Sequence, residues 1–434
     1  MALVATFIHC KSKKGHVNFC RIVLHILLLT SLTIYAGSAA SARNYENAAC
    51  SFGQSRNYKG VCKPIQKCPG SLSNLHAGIY PVTCLFVGSE SGSGSRTPLI
   101  CCESDPRSRV SYQKCAEYSE TTARNDKEAV NAAPTFLLPS NIPSSNIPKE
   151  NEGWGSGSLE TATVTPLAFV VGGEDARVGQ FPYMAALGFG QNRSRISWLC
   201  GGTLVSDHHV LTAAHCLQEK RGRGKPTFVL IGDAHLKVDL NNRVKSRRVV
   251  PIDQITIHPN YNPSTKHNDI GLVKLRDKVV LSANVKPACL PQPVNRLEMG
   301  NNQSLLTAAG WGLTEFAGSP SETLQYVELR RQSSQRCVAA YSQESDGSSQ
   351  EIIPSQFCAG AGEDDDIPKD TCDGDSGSGL TLKRVLDNIN LSPRFVVGIT
   401  SFGSKYCGLD KPGVYTNVQS FLDWLEDTIW PIDD

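Results

Sequence analysis

No Cys-x-x-Cys pair occurs in the 434 residues, although the chain has 16 cysteines. Zinc held by closely spaced thiolates is therefore not favoured. A dominant charge is also missing, since 43 bases stand against 41 acids, a net +2. Residues 1–42 hold four of those bases (Lys11, Lys13, Lys14 and Arg21) and no acid, so the remainder has 39 bases against 41 acids, a net −2. Such a chain has no bulk field with which to hold nucleic acid. Long apolar runs are scarce. Ile22–Ala36 comes nearest, and its 15 residues fall short of the ~20 that span a bilayer.

What is present points to a globular, disulfide-bonded protein. Hydrophobic residues make up 40% and charged ones 19%, a balance that can build a core. At ~100–200 residues per domain, the length suggests two to four domains. Many cysteines without metal-type spacing are best read as disulfides formed in an oxidising compartment. The N-terminus agrees with that compartment. Bases precede Ile22–Ala36, and Gly37-Ser38-Ala39-Ala40-Ser41-Ala42 follows it. This is the order of a secretory signal over residues 1–42, cut after Ala40 or Ala42. The alternative, an uncleaved anchor, is disfavoured by the short run, so no stable membrane insertion is expected. Loss of the signal removes Cys10 and Cys20 and leaves fourteen cysteines, an even number.

The rest divides by composition. Residues 50–102 carry six cysteines (Cys50, Cys62, Cys68, Cys84, Cys101 and Cys102), a density of about 11% that marks a disulfide scaffold. A unit this small relies on its bridges, and spacing alone leaves all pairings open. Residues 103–169 are rich in Ser, Asn, Pro, Glu and Thr, and Pro134, Pro139, Pro143, Pro148 and Pro166 oppose helix and central strand. They read as an exposed linker with one tether, Cys115. Over 170–434 short apolar runs recur between turn residues: Thr227–Ile231, Val249–His258, Ile270–Leu275, Gln325–Leu329, Phe395–Ile399 and Gly413–Val418. That rhythm predicts an all-β sandwich or barrel pair. The end departs from it, because Val418, Leu422, Leu425 and Ile429 lie on one face of a helix.

Three motifs carry chemistry. His215 stands in Thr212-Ala213-Ala214-His215-Cys216, Asp269 in Asn268-Asp269-Ile270-Gly271-Leu272, and Ser376 in Cys372-Asp373-Gly374-Asp375-Ser376-Gly377. Singly, each has a bland explanation: a packed core pair, a strand cap, a glycine turn. Together, in the order His, Asp, Ser, they point to nucleophilic catalysis.

With Gly310-Trp311-Gly312 and Lys411-Pro412-Gly413-Val414-Tyr415, these motifs make residues 170–434 resemble a chymotrypsin-fold serine protease. The resemblance implies two six-stranded β-barrels and a C-terminal helix. It makes Ser376 the nucleophile, His215 its general base and then acid, and Asp269 the group that orients the imidazole. The amides of Gly374 and Ser376 would form the oxyanion hole. Asp370 corresponds to the acid at the pocket floor of trypsin-like members, with Gly403 and Gly413 as small wall residues. Ser401 resembles the serine that helps hold the buried aspartate, at the edge of the same substrate-binding pocket. Cleavage after Arg, less often Lys, follows. No cofactor and no metal is implied, and the loop after Gly232 has no persuasive calcium-ligand pattern.

The cysteines fit the same family. It implies Cys200–Cys216, Cys337–Cys358 and Cys372–Cys407, leaving Cys115 to pair with Cys289 and tether the N-terminal part. The six early cysteines resemble a clip domain, whose pattern implies Cys50–Cys101, Cys62–Cys84 and Cys68–Cys102. A clip domain ahead of a trypsin-like domain is the layout of arthropod cascade proteases. Val170-Val171-Gly172-Gly173 resembles an activated N-terminus whose α-amino group pairs with Asp375. The residue before that cut is Phe169 rather than Arg or Lys. In this the chain resembles clip proteases of the snake and persephone type, which act upstream in embryonic patterning or in Toll signalling and melanisation. The expected partners are an upstream non-tryptic activating protease, a downstream protease zymogen as substrate, and a serpin inhibitor.

Two departures accompany the match. Ser378 and Gly379 replace the usual Gly-Pro after the first glycine that follows the nucleophile, and Phe402 stands where Trp is common. The rival reading is a non-catalytic clip-domain cofactor. Weaker features are two basic runs, Lys220–Lys225 and Arg243–Arg248, either of which could steer an acidic protein substrate but which are best read as solvated loops. Asn192, Asn302 and Asn390 begin glycosylation sequons, in keeping with secretion.

Overall fold

The computed structural model describes residues 48–52, 58–68, 83–88, 96–103, 109–131, 173–193, 195–219, 222, 224–237, 244–291, 305–313, 320–342, 349–362, 369–371, 374–383, 393–404 and 411–432. Two compact units separate. The smaller holds β1 (Ala49–Phe52), β2 (Tyr58–Pro64), β3 (Thr83–Gly88) and β4 (Arg96–Glu103), in the sheet order β1-β2-β4-β3. Among the described residues its apolar cluster comprises Ile65, Cys68, Ile100 and Cys102, and a unit of this size leans on covalent help. Three bridges supply that help: Cys50–Cys101, Cys62–Cys84 and Cys68–Cys102.

The larger unit begins with a helix, α1 (Val110–Asn131), and a two-residue strand, β5 (Glu174–Asp175). Six strands then close a barrel: β6 (Met184–Phe189), β7 (Ser197–Leu204), β8 (His209–Thr212), β9 (Phe228–Ile231), β10 (Arg248–Ile257) and β11 (Gly271–Leu275). A single helical turn, α2 (Ala214–Leu217), follows β8. A second ring comprises β12 (Leu305–Gly310), β13 (Gln325–Arg331), β14 (Gln356–Gly360), β15 (Gly379–Lys383), β16 (Arg394–Phe402) and β17 (Gly413–Asn417). Its order is β12-β15-β16-β17-β14-β13, closed by β12 pairing with β13, and β5 adds to β13. Helices α3 (Ser334–Tyr341) and α4 (Leu422–Ile429) complete the unit. Within the two barrels, neighbouring strands pair antiparallel. The two six-stranded barrels match the fold expected from the sequence.

The apolar runs explain the barrels. Every residue of β6 is buried, and β8 is buried throughout. Each fully buried Leu or Ile in these strands contributes about 1.5–3 kcal/mol. In α4 and the turn before it, Val418, Leu422, Leu425 and Ile429 are all buried, as their spacing predicts.

Helix α1 corrects the reading of 103–169 as linker. The prolines that spoke against helix all lie at 134 and beyond, outside the described residues. The buried face of α1 is Ser111, Cys115, Tyr118, Ser119 and Thr122, a helical stripe with little apolar content. It docks through polar contacts, one covalent link and two aromatic rings, with Tyr118 in the apolar cluster of the first barrel and Tyr112 against that of the second. Cys115 is bridged to Cys289. Asn125 Nδ2 donates to the Leu281 carbonyl (2.8 Å), and the Ala283 amide donates to Asp126 (2.9 Å). At the head of the helix, Arg109 Nη1 pairs with Glu426 Oε2 at 2.9 Å and with Asp423 Oδ1 at 2.8 Å. Glu426 is fully buried, and Ser111 also donates to it through its amide and hydroxyl.

Removing one partner of a buried pair strands the other charge in a poor solvent. Arg109→Ala should therefore destabilise the larger unit by about 3–5 kcal/mol. A urea melt of the full chain checks this, and an unchanged midpoint contradicts the role given to Arg109.

Candidate active site

Strand β8 delivers His215. Its last residue, Thr212, donates to the Gly201 carbonyl (2.8 Å), and α2 then turns the imidazole out of the sheet. The backbone amide of His215 donates to Asp269 Oδ1 at 2.9 Å, and Nδ1 donates to Oδ2 at 2.7 Å. The carboxylate assigns the tautomer: Nδ1 carries the proton and Nε2 faces away from Asp269. Asp269 is fully buried just before β11. It also accepts from Ser401 Oγ on β16 at 2.6 Å, while Thr416 Oγ1 on β17 donates to its carbonyl at 2.9 Å. The approach to Asp269 is tightly turned, with Lys266 and Asn268 both at φ 55°. Asn tolerates that region, whereas Lys occupies it less readily, and such conformations gather at functional sites.

Ser376 lies on the turn before β15. Its carbonyl accepts from the Gly201 amide at 2.9 Å, and Cys216 Sγ lies 3.4 Å from the same oxygen. Gly377 has φ 82°, and a Cβ there would strike Thr212 and the Gly201 carbonyl. These contacts press the Ser376 turn against the segment that holds His215, so the structure brings the three motif residues to one place. Among the described residues no hydrogen bond links Ser376 Oγ to His215 Nε2. Such bonds commonly tighten only with substrate bound. Cys200 and Cys216, beside His215, are joined in a disulfide and offer no thiolate to a metal.

Gly374 and Ser376 flank Asp375 on the same turn, with Gly374 at φ 101°. Asp375 is buried and accepts from the Gly312 amide at 2.8 Å. A Cβ at either Gly310 or Gly312 would collide with its carboxylate. The Gly310-Trp311-Gly312 motif thus makes the niche for Asp375, while Trp311 Nε1 donates to the Ala234 carbonyl at 2.9 Å. The sequence displayed this motif but gave no sign of that role.

Asp370 is 1% exposed and accepts from the Thr371 amide at 2.8 Å. A Cβ on Gly413 would lie 2.7 Å from its Oδ1, and one on Gly403 would lie 3.9 Å from its Oδ2. The two glycines therefore face this carboxylate, as expected of pocket walls. Thr371, not singled out in the sequence, lies 3.0 Å from the Tyr415 hydroxyl through its own hydroxyl. Burial, then the Asp370 charge, push the Tyr415 phenol well above its ordinary range, so it stays protonated. Ser401 spends its hydroxyl on Asp269 rather than on this pocket. Phe402 meets Tyr341 edge-on, with centroids 5.6 Å apart.

Six of the seven expected bridges are present, including Cys337–Cys358. Cys372–Cys407, Phe169, Val170, the 1–42 segment, Asn302 and Asn390 lie outside the described residues. Among the described residues no helix is long and apolar enough to cross a membrane.

The trypsin family model matches residues 170–425. Serine protease snk of Drosophila melanogaster is 36% identical over 343 residues, covering 76% of this chain and 68% of that protein. CLIP domain-containing serine protease B4 of Anopheles gambiae is 33% identical over 269 residues, 60% of this chain and 70% of that protein. Phenoloxidase-activating factor 3 of Holotrichia diomphalia is 34% identical over 271 residues, 60% of this chain and 72% of that protein. A match of this extent, on a two-barrel fold that brings His215, Asp269 and Ser376 together, places the chain in the trypsin family as a serine endopeptidase of the arthropod clip-domain kind.

Proposed function

We propose that the chain is a secreted zymogen that, once cut between Phe169 and Val170, cleaves proteins after Arg or Lys. The observation that carries the specificity is Asp370, a buried carboxylate beneath two glycines. A carboxylate so placed is stabilised by a cation with matching donors, and a substrate Arg or Lys supplies one.

The mechanism follows from the placement of each group. Ser376 Oγ attacks the carbonyl carbon after the substrate Arg, and its proton passes to His215 Nε2. The oxyanion that forms is held by the Gly374 and Ser376 amides. His215 then gives the proton to the leaving amine, the C–N bond breaks and an acyl-enzyme remains. Water repeats the sequence and releases the acid. Asp269 stabilises the imidazolium of each half-reaction without taking the proton.

Activation rests on Asp375. The α-amino group freed at Val170 is a compact cation suited to the niche made by Gly310 and Gly312, and the pairing would order the Ser376 turn. A pocket that selects Arg does not accept Phe169, so the enzyme does not activate itself and a chymotrypsin-like or other non-tryptic protease is needed. The apolar Ile22–Ala36 run supports secretion. The name of phenoloxidase-activating factor 3 states that it activates another protein. By analogy the substrate here is a further protease zymogen with a basic activation site, in an extracellular immune or developmental cascade, with a serpin as inhibitor.

One observation favours a weaker or non-catalytic site. Ser378 is buried against Gly201, and its hydroxyl has no hydrogen-bond partner among the described residues. The Gly201–Ser376 bond beside it is nevertheless made, so the turn keeps its form and activity is expected.

Separate treatment of the zymogen with trypsin-like and chymotrypsin-like proteases tests the switch. Only the latter should yield a Val170 terminus together with hydrolysis of Arg-ended reporters. Tryptic self-activation at Phe169, or a Val170 terminus without peptidase activity, contradicts the proposal. In the activated enzyme, Asp370→Ala should lower kcat/KM for an Arg reporter by at least about 10³-fold, read from initial rates. Ser378→Ala removes an unsatisfied buried hydroxyl and should stabilise the protein by about 1 kcal/mol, visible as a higher melting midpoint.

A further inference from the structure

The first barrel carries an open groove of about 860 Å³ where β9 and β10 meet. Its floor is apolar and half-buried: Phe228, Pro251, Ile252 and Ile255. Three exposed cations rim it: Arg193 from the loop after β6, Lys225 ahead of β9, and Arg276 directly after β11. One acid, Asp253, opposes them, at the point where the pairing of β10 with β11 slips between Ile252 and Gln254. None of the three cations makes an ion pair among the described residues.

The groove is separate from the catalytic cleft. Asp269 precedes β11 and Arg276 follows it. Seven residues of extended chain place the two ends roughly 20 Å apart. A segment bound in the groove is therefore remote from the bond being cut.

The geometry points to a docking site for an acidic segment of the protein substrate, one that carries an apolar side chain among its carboxylates. The two guanidinium groups and the ammonium match carboxylates, the guanidiniums in bidentate fashion. The apolar floor takes the hydrophobic side chain, and the separation lets both sites engage one partner. A sulfated polysaccharide would leave that floor unused, and a nucleic acid is disfavoured by the chain's near-neutral balance. Complementary charge at such a distance acts on encounter and register rather than on the chemical step. As a substrate site the groove rests on the endopeptidase reading above, whereas peptide binding to it does not.

Binding is measured first, on the uncut full chain carrying Ser376→Ala. The probe is a fluorescent peptide of glutamates around a central leucine, and the control has glutamine at every glutamate. The control should bind at least about tenfold more weakly, and so should the glutamate peptide to a chain carrying Arg193→Glu and Arg276→Glu. Ile252→Asp should also weaken it. Equal binding of the control, indifference to the substitutions, or binding of heparin but not of the peptide overturns the proposal. Turnover comes second, with a reporter protein bearing an Arg site and the same glutamate segment well away from it. The activated enzyme should cut this reporter with a kcat/KM about tenfold above that for the glutamine version, and the gain should vanish in the Arg193→Glu, Arg276→Glu enzyme. A short Arg reporter should be cut alike by both enzymes, which separates failure of docking from failure of catalysis. Binding without a gain in turnover also overturns the substrate role.

Discussion

The buried carboxylate of Asp269 ties the two barrels together. A charge with no exposure is tolerated only when hydrogen bonds replace its water, and here they come from both sides of the seam. His215, beyond β8 of the first barrel, supplies a backbone amide and a ring N–H. Ser401 and Thr416, on β16 and β17 of the second barrel, bind the carboxylate and the carbonyl of the same residue. The imidazole is thus fixed by the same contacts that join the barrels. Catalytic geometry and fold stability are one constraint at this point, and the apolar cores on either side bring the donors together.

Around that seam the nucleophile turn is built from backbone contact more than from side chains. Gly201, Gly310, Gly312, Gly374 and Gly377 all stand where a Cβ would strike a neighbour. The turn can pack this closely because the glycines remove volume, and Asp375 can be buried because Gly310 and Gly312 leave it room. Ser378 sits in the same crowded layer. Its side chain is accommodated because Gly201 opposite has none. This explains how a larger residue is accepted there without displacing the Ser376 carbonyl from the Gly201 amide.

Much of this was legible in the sequence because it depends on periodicity or on short fixed spacings. The runs at Val249–His258 and Phe395–Ile399 became β10 and the centre of β16. The four-three-four spacing from Val418 to Ile429 became the buried face of α4 and the turn before it. The order of His215, Asp269 and Ser376 singled out three residues that the fold draws together, His215 and Asp269 through direct hydrogen bonds. What escaped notice was held by polar groups. Helix α1 buries serines, a threonine and a cysteine rather than leucines, so no apolar period announced it, and the proline-rich stretch after it made the whole segment look extended. Glu426 lies on a helix known in the sequence by its apolar face alone, and its partner Arg109 lies 317 residues away. Thr371 and the part played by Gly310 and Gly312 depend on contacts between distant segments, which no local pattern reports.

In the proposed activation, Ser376 becomes a competent nucleophile when the Val170 terminus is freed. The most direct test is the rate at which a fluorophosphonate probe labels the purified chain before and after the cut, with the modified residue located by mass spectrometry. If the freed terminus orders the oxyanion donors through Asp375, labelling falls on Ser376 alone and is accelerated at least about 100-fold by the cut. Equal labelling of the uncut chain would contradict the activation mechanism, and no labelling after the cut would contradict the catalytic assignment itself.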